Sequence, residues 1–257
     1  MFALTHLYFA ERLLGDLAPE EVFGAVFPDT GLAGGLSWEE THTVGGRLYD
    51  RSMSLSAQGD EGSLVRFARA VVTHGAIPEG LDHYSDRAYR GRSHGYCFEL
   101  SRDLADEAAD ICGLPRSSGW WKAHNFVEMA ADFVVYQRRP DFGRELLRAL
   151  KDRTTLEPLG RFLTDALPAP TESERLVRAF MEFPDYVQLD QVTPHTLAEK
   201  YEVQVRAKHG VQSIDVVAAA ALVERCVARV APTFDDFINH SLEMVAPLLL
   251  DGCPSPE

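Results

Sequence analysis

Apolar side chains in this chain return every three or four residues and almost never every second residue, which is the spacing of a helix face and not of a strand. The first segment, about 4–15, places Leu4, Leu7, Tyr8, Ala10 and Leu14 near one side. Further helices are expected at about 40–54, 61–75, 96–112 and 118–138, with Ser63 as an N-cap and Gly75 at a stop position. The stretch "FPDTGLAGGLSWEE" (27–40) is rich in Gly and Pro and is read as a loop. In the second half, Thr171 and Glu174 form a capping-box pattern, Ser213 and Thr233 open helices, and Gly210 closes one. The expectation is an all-α protein: a helical bundle over 1–140, with an additional C-terminal helical region over 141–257 that packs with it or apart from it. "LPAPTES" (167–173) is a visible seam in the second half, and "CPSPE" at the end reads as a frayed tail.

The surface is acidic, with 39 Asp and Glu against 25 Lys and Arg, a formal charge of −14. Such a surface repels a polyphosphate backbone, so long nucleic acid is not an expected partner unless bound cations invert the field locally. The four cysteines, Cys97, Cys112, Cys226 and Cys253, show no metal-type spacing and read as isolated thiols of a reducing compartment. The opening "MFALTHLYFAERLLGDL" has no basic region and is interrupted early by charge. It reads as neither a signal peptide nor a membrane span, and the protein is expected to be cytoplasmic.

Chemistry concentrates in the histidines. In "WWKAHNFVEMAADF" (120–133), His124 and Glu128 stand four residues apart on one helix face, able to share an ion or to bond to each other. His6 lies on the apolar first helix, as a ligand or as a core imidazole bonded to a carbonyl. Asp29 follows Pro28 where the chain is expected to turn, and Pro28 biases Phe27 toward an extended form. His42, His74, His83 and His94 follow, with Asp82 and Asp86 flanking His83 in "LDHYSD". Imidazoles and carboxylates from separate helices, with no cysteine among them, suit a hydrolytic centre of two or more ions better than a structural zinc site. Arg90 and Arg92 in "YRGRSH" are candidates to hold a substrate phosphate, or surface arginines paired with acids. Trp120 and Trp121 either wall a pocket or pack the core.

The order of these residues resembles the zinc-dependent phospholipase C family, an all-helical fold that also serves the single-strand-specific zinc nucleases. The resemblance covers about residues 1–135. His6 matches the family's early histidine, Asp29 in "FPD" its ion-bridging aspartate, His42 the next ligand, and His124 with Glu128 its closing H-x-x-x-E. In the middle, one register makes His74 the helix-ending ligand and His83 the next, but Pro78 stands where the family has an aspartate, so Asp82 or Asp86 must substitute. The other register pairs His83 with Asp86, one residue short, and continues to His94. The first is preferred because an apolar helix leads into His74. The resemblance thus implies His6, Asp29, His42, His74, His83, Asp86, His124 and Glu128 as metal ligands, with Asp29 and Asp86 in catalytic roles. Secreted members also use a processed N-terminal tryptophan, and "MF" stands there in this chain, so one of three zinc positions is expected to be absent or differently filled.

What the resemblance implies is a phosphoester hydrolase, using water activated by two or more divalent ions, zinc foremost, on a small phosphorylated substrate. Two alternatives stand beside it. An HD-type phosphohydrolase needs a His-Asp dipeptide, and only the reversed "DH" (82–83) occurs. A non-catalytic helical scaffold needs no metal, and the alanine-rich "DVVAAAALVERCVARVA" serves a homodimer seam or a core equally well.

Overall fold

The computed structural model describes residues 3–57, 62–168 and 170–250; the expected frayed tail "CPSPE" and the thiol of Cys253 lie outside them. Among the described residues there are fourteen α-helices and no strand, as the periodicity requires. They are α1 (Ala3–Leu14), α2 (Pro19–Ala33), α3 (Glu39–His42), α4 (Gly45–Ser56), α5 (Ser63–His74), α6 (Tyr96–Ser101) and α7 (Ala105–Ile111). The series continues with α8 (Gly119–Arg138), α9 (Phe142–Ala149), α10 (Arg153–Ala166), α11 (Ser173–Glu182), α12 (Pro194–His209), α13 (Val216–Val230) and α14 (Phe234–Leu250). Single turns of π-helix at His83–Arg87 and of 3₁₀-helix at Arg116–Ser118 and Phe183–Asp185 join them.

The helices form two compact units, each drawing on both halves of the chain. The first takes residues up to Thr5, Ser85–Arg144 and Pro184–Ile238; the second takes His6–Tyr84, Glu145–Phe183 and residues from Asn239 on. In the first, α8 runs through the middle against α6, α7, α12 and α13. Its apolar positions Phe126, Val127, Ala130, Ala131 and Val135 are fully buried. In the second, α2 and α5 pack most closely, with α10 and α11 alongside. Phe27 meets Phe67 edge-on, Phe67 meets Phe162, and Phe23 meets Phe180, so aromatic edges tie four helices together. A Cβ on Gly24 would lie 2.2 Å from the Phe67 carbonyl oxygen, so α2 and α5 touch backbone to backbone where only glycine fits.

Several local expectations are corrected. The stretch 27–33 is helix, not loop: α2 carries Pro28 in its interior and holds Phe27 in helical form. Every residue from Glu21 to Gly31 is buried, and that burial outweighs the loss of one backbone hydrogen bond at Pro28. Thr30 donates its hydroxyl to the Val26 carbonyl at 2.8 Å, taking up a nearby acceptor. The helix expected over 40–54 breaks after His42, because the His42 carbonyl accepts from Ala76 and Ile77, 2.8 and 3.1 Å away, and so does not continue a helical ladder. The helix expected over 96–112 breaks between α6 and α7. Ser63 is the first residue of α5, with Gly62 at its N-cap. Thr171 does not cap α11: Glu172 holds that position, so Thr171 stands one residue too early, and Glu174 accepts from Arg153 instead. Asp215, not Ser213, caps α13, accepting from the Ala218 amide at 2.9 Å. Gly210 closes α12 as expected, with φ 69°.

Asp132, deep in α8, caps a different helix. Its carboxylate accepts from the Leu4 and Thr5 amides at 3.3 and 2.9 Å and from the Thr5 hydroxyl at 2.8 Å, taking up first-turn donors of α1. Burial pushes this carboxyl up to about 7, against the pull of those donors. Because the native pKa lies above the ordinary value of 3.8, the folded protein keeps a proton that the unfolded chain has already released. Stability measured by urea unfolding should therefore fall as pH rises from about 4 to about 7. Asp132→Asn should flatten that fall; an unchanged slope would clear Asp132 of it. Separately, Gly24→Ala should lower the urea stability by about 1–3 kcal/mol through forced separation of α2 and α5, and a neutral outcome would contradict the backbone contact.

Candidate metal centre

Four helices and a loop of the second unit bring three imidazoles to one carboxylate. His6 comes from α1, His42 from the end of α3 and His74 from the last turn of α5. Their Nε2 atoms lie 3.2, 3.2 and 3.3 Å from the carboxylate oxygens of Asp82. Asp29 of α2 stands 3.9 Å from His42 Nε2. All five residues are buried, His74 completely.

The loop from Gly75 to Asp82 is folded back on α5. Ala76 and Ile77 donate to the His42 carbonyl, and Gly80 donates to the carbonyls of Gly75 and Pro78. The Ile77–Pro78 bond is cis. This route returns Asp82 to the imidazole of His74, eight residues before it.

The imidazoles are oriented from behind. His74 Nδ1 lies 2.6 Å from the Ala25 carbonyl, which only accepts, so Nδ1 carries the proton and Nε2 presents its lone pair in the neutral ring. His42 Nδ1 lies 2.7 Å from the Thr41 hydroxyl. That hydroxyl donates its one proton to the carbonyls of Ser37 and Trp38, so it accepts from His42 Nδ1, and Nε2 points inward toward Asp82. Trp38 stacks on the His42 ring at 5.2 Å, and the rings of His6 and His74 stack at 3.4 Å and 7°.

Electrically the group is crowded. Burial, then the neighbouring His74, holds the His6 pKa down. Burial works against His74 as well, but the charge of Asp82 carries it above the ordinary value. Asp82 is held well below the carboxylate range: burial opposes this, and the charges of His74 and His6 and bonds from His42 and His6 outweigh it. His74 Nε2 lies 3.3 Å from Asp82, and among the described residues neither it nor Asp29 Oδ2 has a hydrogen-bond partner. Both are buried, and a buried polar atom without a partner is costly, a cost that a bound cation between them relieves. Donor atoms of His6, His74 and Asp82, and of Asp29, His42 and His74, lie within 4.8 Å of one another, close enough to hold an ion.

The first unit holds a second group, Asp86, His124 and Glu128. His124 Nδ1 lies 2.7 Å from the Trp121 carbonyl, so its Nε2 faces Glu128 Oε1 at 3.2 Å and Asp86 at 3.8 Å. Burial disfavours the charged ring, but Glu128 and Asp86 raise its pKa. Asn125 donates to Glu128 Oε2 at 2.7 Å and accepts from Tyr201, while Ser85 donates to Asp86. Phe98 stacks on the His124 ring at 4.5 Å. Gly95 lies so close to the peptide joining Ser85 and Asp86 that a Cβ there would stand 2.2 Å from the Ser85 carbonyl.

Of the other residues singled out in the sequence, Trp121 sets its ring edge-on to His124 at 5.5 Å, and the rest belong to neither group of donors. His83 Nε2 lies 3.7 Å from Glu79, with its ring edge-on to Tyr84. His94 bonds to the Ser93 carbonyl beside Trp120. Arg90, with φ 50°, lies over Tyr89 and 3.7 Å from Asp236, and Arg92 pairs with Glu99 at 3.2 Å. Trp120 stacks on Phe98, and Trp121 is 57% exposed. Asp82 is the residue that spacing alone underweights. Its signal lies in the turn formers Gly75, Pro78 and Gly80, which let a loop double back. No family model, curated protein or solved structure matches the chain.

In metal-free protein at about pH 9, above the histidine range, long-range proton–nitrogen spectra should find the ring proton of His42, His74 and His124 on Nδ1. A proton on Nε2 at any of these would reverse the orientation derived for that ring.

Proposed function

We propose that the chain is a metal-dependent hydrolase of phosphoester bonds, holding divalent ions, zinc foremost, through His6, His42, His74, Asp82 and Asp29 and through Asp86, His124 and Glu128. The observation that carries this reading is the convergence of three Nε2 atoms on one buried carboxylate, with two of the rings locked from behind by Ala25 and Thr41. Hydrogen bonds to the far ring nitrogen are what fix a ligating histidine's tautomer and aim. An all-nitrogen-and-oxygen donor set suits zinc and harder divalent ions in an open, reactive site.

When bound, such ions acidify a water and offset the charge that builds on phosphorus. The protein's part is to keep the donors aimed and dry. Asp29 would contribute an oxygen that has no hydrogen-bond partner among the described residues. Asn125 and Ser85 hold Glu128 and Asp86 from the side. Arg90 pairs with Asp236 and lies over Tyr89, and Arg92 pairs with Glu99; the guanidinium groups themselves are exposed, and such pairs exchange readily for a substrate phosphate. The acidic surface confines this chemistry to a small phosphorylated substrate that meets its counter-charge at the ions. Buried free thiols at Cys97, Cys112 and Cys226 accord with a reducing, cytoplasmic setting. No helix among the described residues is long and apolar enough to cross a membrane.

Elemental analysis of protein purified without chelator should find divalent metal at stoichiometric level, falling in His74→Ala and in Asp82→Asn. Hydrolysis of a chromogenic phosphodiester should stop on chelation and return with zinc. Folded protein that takes up no metal from excess would overturn the reading and leave a helical scaffold in its place.

A further inference from the structure

Every metal donor assigned above lies at or before Glu128, whereas α12 begins only at Pro194. Yet α12 reaches the second group of donors. Tyr201 of α12, at 4% exposure, donates its hydroxyl to Asn125 Oδ1 at 3.2 Å, and Asn125 Nδ2 donates to Glu128 Oε2 at 2.7 Å. The other oxygen of that carboxylate, Oε1, lies 3.2 Å from His124 Nε2. The two oxygens of Glu128 are thus addressed from two sides, which fixes the plane of the carboxylate.

An amide has one donating and one accepting end, and a carboxylate only accepts. Asn125 must therefore turn Nδ2 toward Glu128, which leaves Oδ1 to be met by a donor. Tyr201 is that donor at any working pH: burial first, and then Cys112 and Glu128, push its phenol well above the ordinary range, so the proton stays on. With the hydroxyl gone, Asn125 would keep one bond in place of two, and a turned amide would set Oδ1 against the carboxylate. The hydroxyl is itself closely placed. The Tyr201 ring stands edge-on to Phe126, the neighbour of Asn125 on α8, at 5.3 Å. On α12, Lys200 Nζ donates to the Pro184 and Asp185 carbonyls at 2.9 and 3.1 Å, and Gln204 donates to the Tyr186 carbonyl at 2.7 Å. Glu202 accepts from the Ile214 amide at 3.3 Å. Tethers at three residues around Tyr201 hold this part of α12 in place.

We propose, on the metal reading of Asp86, His124 and Glu128 given above, that Tyr201 is a positioning residue for that group, aiming Glu128 through Asn125. The chain beyond residue 140 is then a part of the site and not an appendage to it. Hydrogen-bond partners of a ligand set how tightly the ion is held, typically by about 10–100-fold in affinity. Tyr201 acts one bond further out, and its effect passes through the Asn125 amide.

The test is zinc titration of the full chain, with free zinc set by a competing chelator and each histidine ring followed in long-range proton–nitrogen spectra. His124 reports the second group and His74 the first, in one sample. Tyr201→Phe keeps the buried ring and removes only the hydroxyl. In it the free zinc at the His124 midpoint should rise about fivefold, the worth of one neutral hydrogen bond, with the His74 midpoint unmoved. Asn125→Ala, at a half-buried position, should raise the His124 midpoint about tenfold or more. The double variant should match Asn125→Ala, because Tyr201 acts through that amide. An unmoved His124 midpoint in Tyr201→Phe, an equal shift at His74, or a double variant whose shift is the product of the two single ones would each overturn the proposal. A wild type whose His124 and His74 rings do not respond to excess zinc would instead overturn the metal reading, and the role of Tyr201 with it.

Discussion

The contact between α2 and α5 at Gly24 is the constraint from which the second unit's chemistry follows. Because no side chain separates the helices there, the Ala25 carbonyl comes within 2.6 Å of the His74 ring. That one bond decides which nitrogen of His74 faces inward, and a carbonyl that only accepts leaves no second choice. The loop after α5 is in turn fastened to the His42 carbonyl. The imidazoles, the loop and Asp82 are thus placed by main-chain geometry before any ion is considered.

The two groups of donors share a construction. In each, a histidine near the end or start of a helix donates from Nδ1 to a main-chain carbonyl or to a hydroxyl whose proton is already committed, and the other nitrogen faces carboxylates. In the second group the carboxylates are in addition steadied by neutral donors, Asn125 and Ser85, which do not compete as charges. The first group stores the cost of buried polar atoms without partners, which packing of the surrounding aromatic rings sustains.

The helical class was legible because period is a local property, and α8 was expected with its observed start and end to within a residue. His6, Asp29, His42 and His74 could be singled out from their order, and they do come together. Asp82 could not be chosen over Asp86 by spacing, because the choice depends on a loop whose path is set by bonds to His42, more than thirty residues earlier. The reading of 27–40 as loop failed for a related reason. Pro and Gly describe what an isolated segment prefers, whereas Pro28 lies in a helix buried along eleven consecutive positions. Likewise the capping pattern at Thr171 had the right residues, but the packing of α11 began one residue later.

Gly95 lies against the main chain at Ser85 and Asp86 and carries no donor atom of its own. Its importance is therefore hidden from any inventory of reactive groups. An inherited change there would displace Asp86 without altering a single donor atom. In a genetic screen it would be indistinguishable from the loss of Asp86 itself. Selection on this part of the chain should accordingly fall on a residue with no chemistry of its own, as firmly as on the acid it makes room for.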